Sequence, residues 1–254
     1  MEKLIWQTYA LVYDSILLQL APYREMISLA CRALNPKNEG LYLDAGCGTG
    51  NYSLCLLEDD GNFSIIAADN SSSMLKKAKR KMAGRENRVS FAAMDLENPL
   101  PYEDCSFDGI ICANVLYAVK KPDQLLKELR RVLKNDGRLV LITPPAEPRM
   151  APIIKAHIKA LKKKSPRLYP LLFASLLIRT FIPIMISVSV NSYIKNNSSF
   201  HFLSEDALRT MIVNNGLSIE KLSLIYGKQS WMALINKSPG SIQHLHDRRR
   251  VSHA

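Results

Sequence analysis

Ten residues constrain this chain most: Leu41-Tyr42-Leu43-Asp44-Ala45-Gly46-Cys47-Gly48-Thr49-Gly50. A short apolar run ends in an acid, and glycine then recurs at every second position. Glycine accepts positive φ without a Cβ clash and lets the backbone come close to a ligand. The run from Asn51 to Leu57 can open a helix, and its free N–H groups then point into the crevice beyond the turn. The stretch therefore predicts a strand–turn–helix unit. Its turn is either a plain structural corner or the wall of a binding site. The spacing departs from the dinucleotide fingerprint, which sets a small third residue three positions after the second glycine and an acid about 20 residues later. Here that third position is Asn51, the extra glycine is Gly50, and the acid is Asp44, inside the motif.

The rest of the chain extends the pattern. Ser64 to Asp69 is a second buried strand ending in an acid, and the serines after Asn70 can cap a helix from Met74 to Met82. A carboxylate at that tip can accept from both hydroxyls of a ribose; the bland alternative is an acid placed for solubility. Arg88 to Ala93 is a third strand, leading to Met94-Asp95-Leu96. Asp108 to Ala113 is a fourth, ending at Asn114-Val115-Leu116-Tyr117. A helix from Pro122 to Lys134 carries Leu125, Leu126, Leu129, Val132 and Leu133 on one face. Asn135-Asp136-Gly137 closes it, with Gly137 expected in a left-handed cap, before a fifth strand, Arg138 to Thr143. Ser204 heads a helix that ends at Asn214-Asn215-Gly216; two strands, Leu217 to Tyr226 and Gln229 to Asn236, then meet at Gly227-Lys228 as a hairpin. Upstream, Trp6 to Leu20 and Tyr23 to Ala33 have helical patterns.

The acid-x-Gly-x-Gly-x-Gly turn resembles motif I of the class I S-adenosylmethionine (AdoMet) methyltransferases. The string Trp6-x-x-Tyr9-Ala10-x-x-Tyr13-Asp14 is similar to the N-terminal segment of the ubiquinone/menaquinone-biosynthesis type, as are the Leu100-Pro101-Tyr102 and Ser106-Phe107-Asp108 strings. The resemblance covers Leu41 to Thr143 well, the C-terminal helix and hairpin moderately, and the stretch between them not at all. It implies a Rossmann-like α/β fold: a seven-stranded, mostly parallel sheet with helices on both faces. The last strand would be antiparallel in the C-terminal hairpin, with a helical insertion between strands five and six. It also implies a cofactor, S-adenosyl-L-methionine. By that resemblance Asp44 lies near the methionyl ammonium; Gly46, Cys47, Gly48 and Gly50 border the cofactor; Asp69 holds the ribose, and Asn70 and Met74 are further cofactor-binding residues. Asp95 accepts from the adenine amino group, Leu96 packs on its ring, Asn114 faces the methionyl end, and Tyr9 and Tyr13 close over the top. Many small-molecule members carry a histidine just after strand four. This chain has Tyr117 there, so the general base stays unassigned, with Tyr117, Tyr193, His157 and His201 as candidates by location only.

With 34 Lys and Arg against 23 Asp and Glu, the net charge is +11. The excess clusters at Lys76 to Arg88, Arg149 to Arg167 and Arg248 to Arg250. Solvated helix faces account for it; the sharper reading is attraction to an anionic substrate, nucleic acid or membrane. No Asn-Pro-Pro-Tyr string follows strand four, which disfavours amino-methylation of nucleic acid. The five scattered cysteines form no metal or disulfide framework, and the histidines after Lys237 form no metal spacing, so no metal is expected. Without a signal-peptide pattern the expected location is cytoplasmic. Tyr169 to Val190 is strongly apolar but broken by Arg179 and Pro183; it is read as a substrate-covering element, with peripheral membrane contact as the alternative. The expected organisation is N-terminal covering helices over 1–38, a cofactor domain over 39–145 and 200–237, an insertion over 146–199 and a flexible tail over 238–254. The expected activity is methyl transfer to a small, apolar or amphipathic acceptor. An RNA methyltransferase, a non-catalytic AdoMet-binding protein and a nicotinamide oxidoreductase are the rivals.

Overall fold

The computed structural model describes residues 14–178, 197 and 199–238. Tyr9, Tyr13 and Tyr193 fall outside the described residues, as does the chain beyond Ser238.

Helix α1 (Ala21–Leu34) starts with Pro22 in its first turn and stops where Asn35 turns left-handed at φ 50°, its N–H donating to the Cys31 carbonyl. Strand β1 (Leu41–Ala45) runs into the glycine turn and α2 (Asn51–Leu56). Then come β2 (Ser64–Asp69), α3 (Ser72–Lys81), β3 (Val89–Ala93) and β4 (Phe107–Ala113). A 3-10 turn, Leu116–Ala118, leads to α4 (Pro122–Val132) and β5 (Leu133–Thr143). Helix α5 (Met150–Lys164) begins the insertion, and after a turn residues 169–178 are again helical. The order closes with α6 (Glu205–Asn214), β6 (Leu217–Ile225) and β7 (Ser230–Lys237).

The strands form one sheet in the order β3-β2-β1-β4-β5-β7-β6. The first five are parallel; β7 runs antiparallel between β5 and β6. This is the seven-stranded, mostly parallel sheet with an antiparallel hairpin that the sequence predicts. Alternate side chains of the central strands serve two cores, as buried parallel strands must. Ile111, Ala113, Val140 and Ile142 pack with α1, α2 and α3 on one side. Ile110, Cys112, Leu139 and Leu141 pack with α4 and α6 on the other. On α4 the residues Leu125, Leu126, Leu129 and Val132 are all buried, as their spacing requires.

Two details depart from expectation. Helix α4 ends at Val132, and strand β5 begins at once; its register against β4 slips between Phe107 and Gly109. Gly137 lies inside that strand and its φ is not positive, so no left-handed cap forms. Its glycine identity answers to crowding instead, since a Cβ there would meet Leu133 Cδ1 at 2.8 Å. Among the described residues, no helix is long and apolar enough to cross a membrane.

Candidate active site

Strand β1 pairs with β2 on one side and with β4 on the other, so successive connections leave it in opposite directions. In such sheets a crevice opens beyond the carboxyl ends of the strands at this switch point. The glycine turn sits there and is pinned by backbone bonds. The N–H groups of Gly46 and Cys47 both donate to the Ala68 carbonyl at 2.8 Å, tying the turn to the end of β2. Gly48 N–H donates to Asp69 Oδ2 at 2.8 Å, and Ser71 N–H donates to Asp69 Oδ1 at 2.8 Å. Met94 N–H donates to the Asp69 carbonyl at 3.1 Å, which brings the segment after β3, with Asp95 and Leu96, to the same edge. The tips of β1, β2 and β3 are thus one hydrogen-bonded unit.

The three glycines do different work. All have positive φ: 76° at Gly46, 54° at Gly48 and 78° at Gly50. A Cβ on Gly46 would strike Val115 Cγ2, so this glycine admits the loop after β4. A Cβ on Gly50 would meet Met82 Cε at 2.5 Å and Ala78 Cβ at 3.0 Å, so it admits α3. A Cβ on Gly48 would meet nothing within 4 Å. Gly48 is the turn residue that faces open space.

Asp44 lies beneath the turn, 1% exposed. Its Oδ2 accepts from Ser53 Oγ at 2.6 Å and Ser53 N–H at 3.1 Å, while Oδ1 is buried with no hydrogen-bond partner. Burial pushes this carboxyl up to about 6, against the two Ser53 bonds that lower it. A carboxyl raised in the folded state holds extra protons there, so its stabilising effect is complete below its ordinary value of 3.8 and is lost as pH rises through about 6. We expect Asp44→Asn to remove this slope, gaining on the order of 1–3 kcal/mol relative to the wild type between pH 4.5 and 7.5. Thermal melts of the two ligand-free proteins across that range check it. Burial also raises the Asp69 carboxyl, against its two backbone bonds. Cys47 beside them is buried, and that burial holds its thiol well above its ordinary value.

The remaining residues of the predicted set fall as follows. Asp95 is exposed, with Oδ1 accepting from Glu97 N–H at 3.1 Å, and Leu96 is buried with Cδ1 directed toward Gly46. Asn70 is exposed and Met74 buried; Ser71, not a later serine, caps α3 through Met74 N–H. Asn114 turns left-handed at φ 57° just beyond β4, its N–H donating to the Ile142 carbonyl at 2.8 Å. Tyr117 follows on the 3-10 turn, its ring tilted against Phe200 at 5.8 Å and Phe202 at 5.6 Å, and its carbonyl accepts from His201 N–H. The structure commits His157 elsewhere. It is buried on α5, its Nδ1 accepts from Ala21 N–H at 3.1 Å, and burial lowers its basicity.

Sequence reasoning missed a polar cluster behind the turn. Asp14 Oδ1 accepts from Thr49 Oγ1 at 2.7 Å and Asn51 Nδ2 at 3.1 Å, and Asp14 Oδ2 pairs with Lys81 Nζ at 2.8 Å. Lys81 also donates to Asn51 Oδ1 at 2.6 Å and Thr49 Oγ1 at 3.1 Å. This explains the asparagine where a dinucleotide site would want a small residue. We expect Asp14→Ala to cost about 1–2 kcal/mol, less than a buried pair because both side chains are about one-fifth exposed. Chemical denaturation beside Asp14→Ala/Lys81→Met checks it, the double variant recovering part of the loss.

Two strings that carried the resemblance turn out to hold the fold. Arg131 donates to the Leu100 carbonyl at 2.9 Å and the Tyr102 carbonyl at 2.7 Å, while Glu128 accepts from Leu100 N–H. Asp108 accepts from Leu41 N–H at 2.9 Å, locking the start of β1 against β4.

Known proteins resemble this chain in sequence and in fold. A methyltransferase-domain family model matches residues 43–141. The demethylmenaquinone methyltransferase of Lactobacillus johnsonii is 31% identical over 199 residues, covering 76% of this chain and 75% of that one. The chain belongs to the class I AdoMet-dependent methyltransferases of the ubiquinone/menaquinone type. Another relative, the demethylmenaquinone methyltransferase of Clavibacter sepedonicus, is 38% identical over 117 residues, covering 45% of this chain. The match spans only 46% of that protein's length. Among solved structures, magnesium protoporphyrin IX methyltransferase from Synechocystis PCC 6803 with bound SAH shares the fold, with TM-score 0.55 and 18% identity over 85% of this chain and 84% of that one.

The residues present suit AdoMet. Gly48 leaves space where the backbone must approach a ligand, and the orphaned Asp44 Oδ1 is a buried acceptor with capacity to spare. The space would admit the cofactor, and the acceptor would suit its ammonium group.

Proposed function

We propose that this chain transfers a methyl group from AdoMet to a small-molecule acceptor of apolar or amphipathic character. The observation that carries this reading is the position of Gly48, facing open space while its N–H is held by Asp69. When bound, AdoMet supplies a methyl group already attached to a good leaving group, the sulfonium. The protein's task is then to align the acceptor, methyl and sulfur and to exclude water. Asp44 would hold the ammonium end. Asp69, whose oxygens keep lone pairs beyond the two backbone bonds, would accept from the ribose hydroxyls. Asp95 would accept from the adenine amino group, with Leu96 against the ring. The loop of Asn114 would border the methionyl end. Tyr117 is the candidate that lies at the β4 tip; a base is needed only if the acceptor must lose a proton.

The acceptor class rests on the aromatic cluster of Tyr117, Phe200 and Phe202 beyond β4, together with the two relatives named as demethylmenaquinone methyltransferases. All five cysteines are free, in keeping with a reducing compartment and so with a cytoplasmic reaction. The test is methyl-labelled AdoMet added with the protein to a cell extract, followed by partition. Label in the organic-soluble small molecules supports the proposal. Label in RNA would replace the acceptor class, and binding without any transfer would make the chain a non-catalytic AdoMet-binding protein.

A further inference from the structure

Helix α5 and the helical residues 169–178 present an outer face that the site does not use. Leu168, Leu171, Leu172 and Ile178 are 56%, 69%, 42% and 80% exposed, and Leu177 is 46% exposed. The spacing at 168, 171, 172 and 178 keeps them on one side of the segment. Tyr169, Phe173 and Leu176 are less exposed, and the Phe173 ring stands 6.4 Å from the buried His157. The segment is therefore amphipathic in the inverse sense: an inner stripe is seated on α5 while a second apolar stripe faces water. Single exposed leucines are ordinary, but a contiguous set marks a contact surface.

The charge around this face is one-sided. Lys162, Lys163 and Lys164 fill the last turn of α5, Arg167 follows, and Lys162 Nζ lies 4.8 Å from the Tyr169 ring centroid. Between Glu147 and Glu205 the sequence holds nine Lys or Arg and no Asp or Glu. A second copy of this chain would set like charges against each other around the leucines. A nucleic acid would meet the lysines and leave the leucines unburied. An anionic bilayer suits both features, since apolar side chains enter the acyl boundary and basic ones stay at the headgroups.

We propose that the face formed by Lys162 to Arg167 and the outward leucines of 168–178 docks this protein on an anionic lipid surface. The contact is peripheral, and it stands apart from the methyl-transfer reading. Full-length protein is sedimented with phosphatidylcholine vesicles, with and without phosphatidylglycerol, at low and high salt. Wild type should pellet with the anionic vesicles, far less with the neutral ones, and less as salt rises. Leu171→Glu/Ile178→Glu should weaken this at least ~10-fold, and a Lys162→Glu/Lys163→Glu/Lys164→Glu variant similarly, each with AdoMet affinity unchanged by calorimetry. The proposal is overturned if wild type ignores anionic vesicles or if both variants pellet as wild type does. It is also overturned if the face instead mediates a dimer, or binds RNA in preference to vesicles.

Discussion

Replacing Gly48 by valine is expected to abolish AdoMet binding while leaving a folded protein. Gly48 sits at φ 54°, where a β-branched residue is strained by about 1–2 kcal/mol. A protein of this size should survive that, with its melting point lowered by several degrees. The affinity loss should be much larger, roughly 100-fold or more, because about 3 kcal/mol of blocked contact already costs two decades. The added side chain would stand in open space that the turn otherwise leaves free. Gly50→Ala is the informative contrast: its methyl would press on Ala78 of α3 and on Met82 just after it, so it should lower stability more than affinity. Calorimetric titration of both variants, paired with thermal melts, separates the two effects. Affinity within about threefold of wild type in Gly48→Val would mean that the turn does not approach the ligand.

Asp69→Ala should produce the second large effect, and a mixed one. The carboxylate accepts from Gly48 N–H and Ser71 N–H, so its loss strands two part-buried donors. Removing such a partner costs about 1–3 kcal/mol, and the variant should melt several degrees lower. The glycine turn also loses its tie to β2 at Gly48. Affinity for AdoMet should fall by roughly 100-fold, combining the lost ribose acceptors with the loosened turn. Asp95→Ala serves as the control, since Asp95 is exposed and holds one local bond to Glu97 N–H. It should keep the wild-type melting point and lose about tenfold in affinity at most. If Asp69→Ala binds AdoMet as tightly as wild type, the ribose assignment is wrong.

Much of the sheet was legible because its signals are local. Buried parallel strands show as short apolar runs, and each run here ends in an acid or a turn residue that sequence alone exposes. Asn214-Asn215-Gly216 and Gly227-Lys228 marked the final helix and hairpin for the same reason. Gly137 misled because glycine has two uses: the left-handed cap that its position after a helix predicted, and the close packing against Leu133 that the structure shows. The roles of Gly46 and Gly50 were equally hidden, since Val115 and Met82 reach them from distant parts of the chain. The Asp14–Lys81 cluster joins residues 67 apart in sequence, and nothing in either neighbourhood announces it. His157 could be placed only once α1 was seen to meet α5. The outward leucines of 168–178 belong to an apolar run whose composition does not say which side faces water.

On the proposed function, the tips of β1, β2 and β3 form one nucleoside-binding edge. This is tested most directly by calorimetric titration of the full-length wild type with AdoMet and, separately, with NAD. Saturable binding of one AdoMet per chain, with no heat from NAD, is the predicted result; NAD binding in its place, or no AdoMet binding at all, would contradict it.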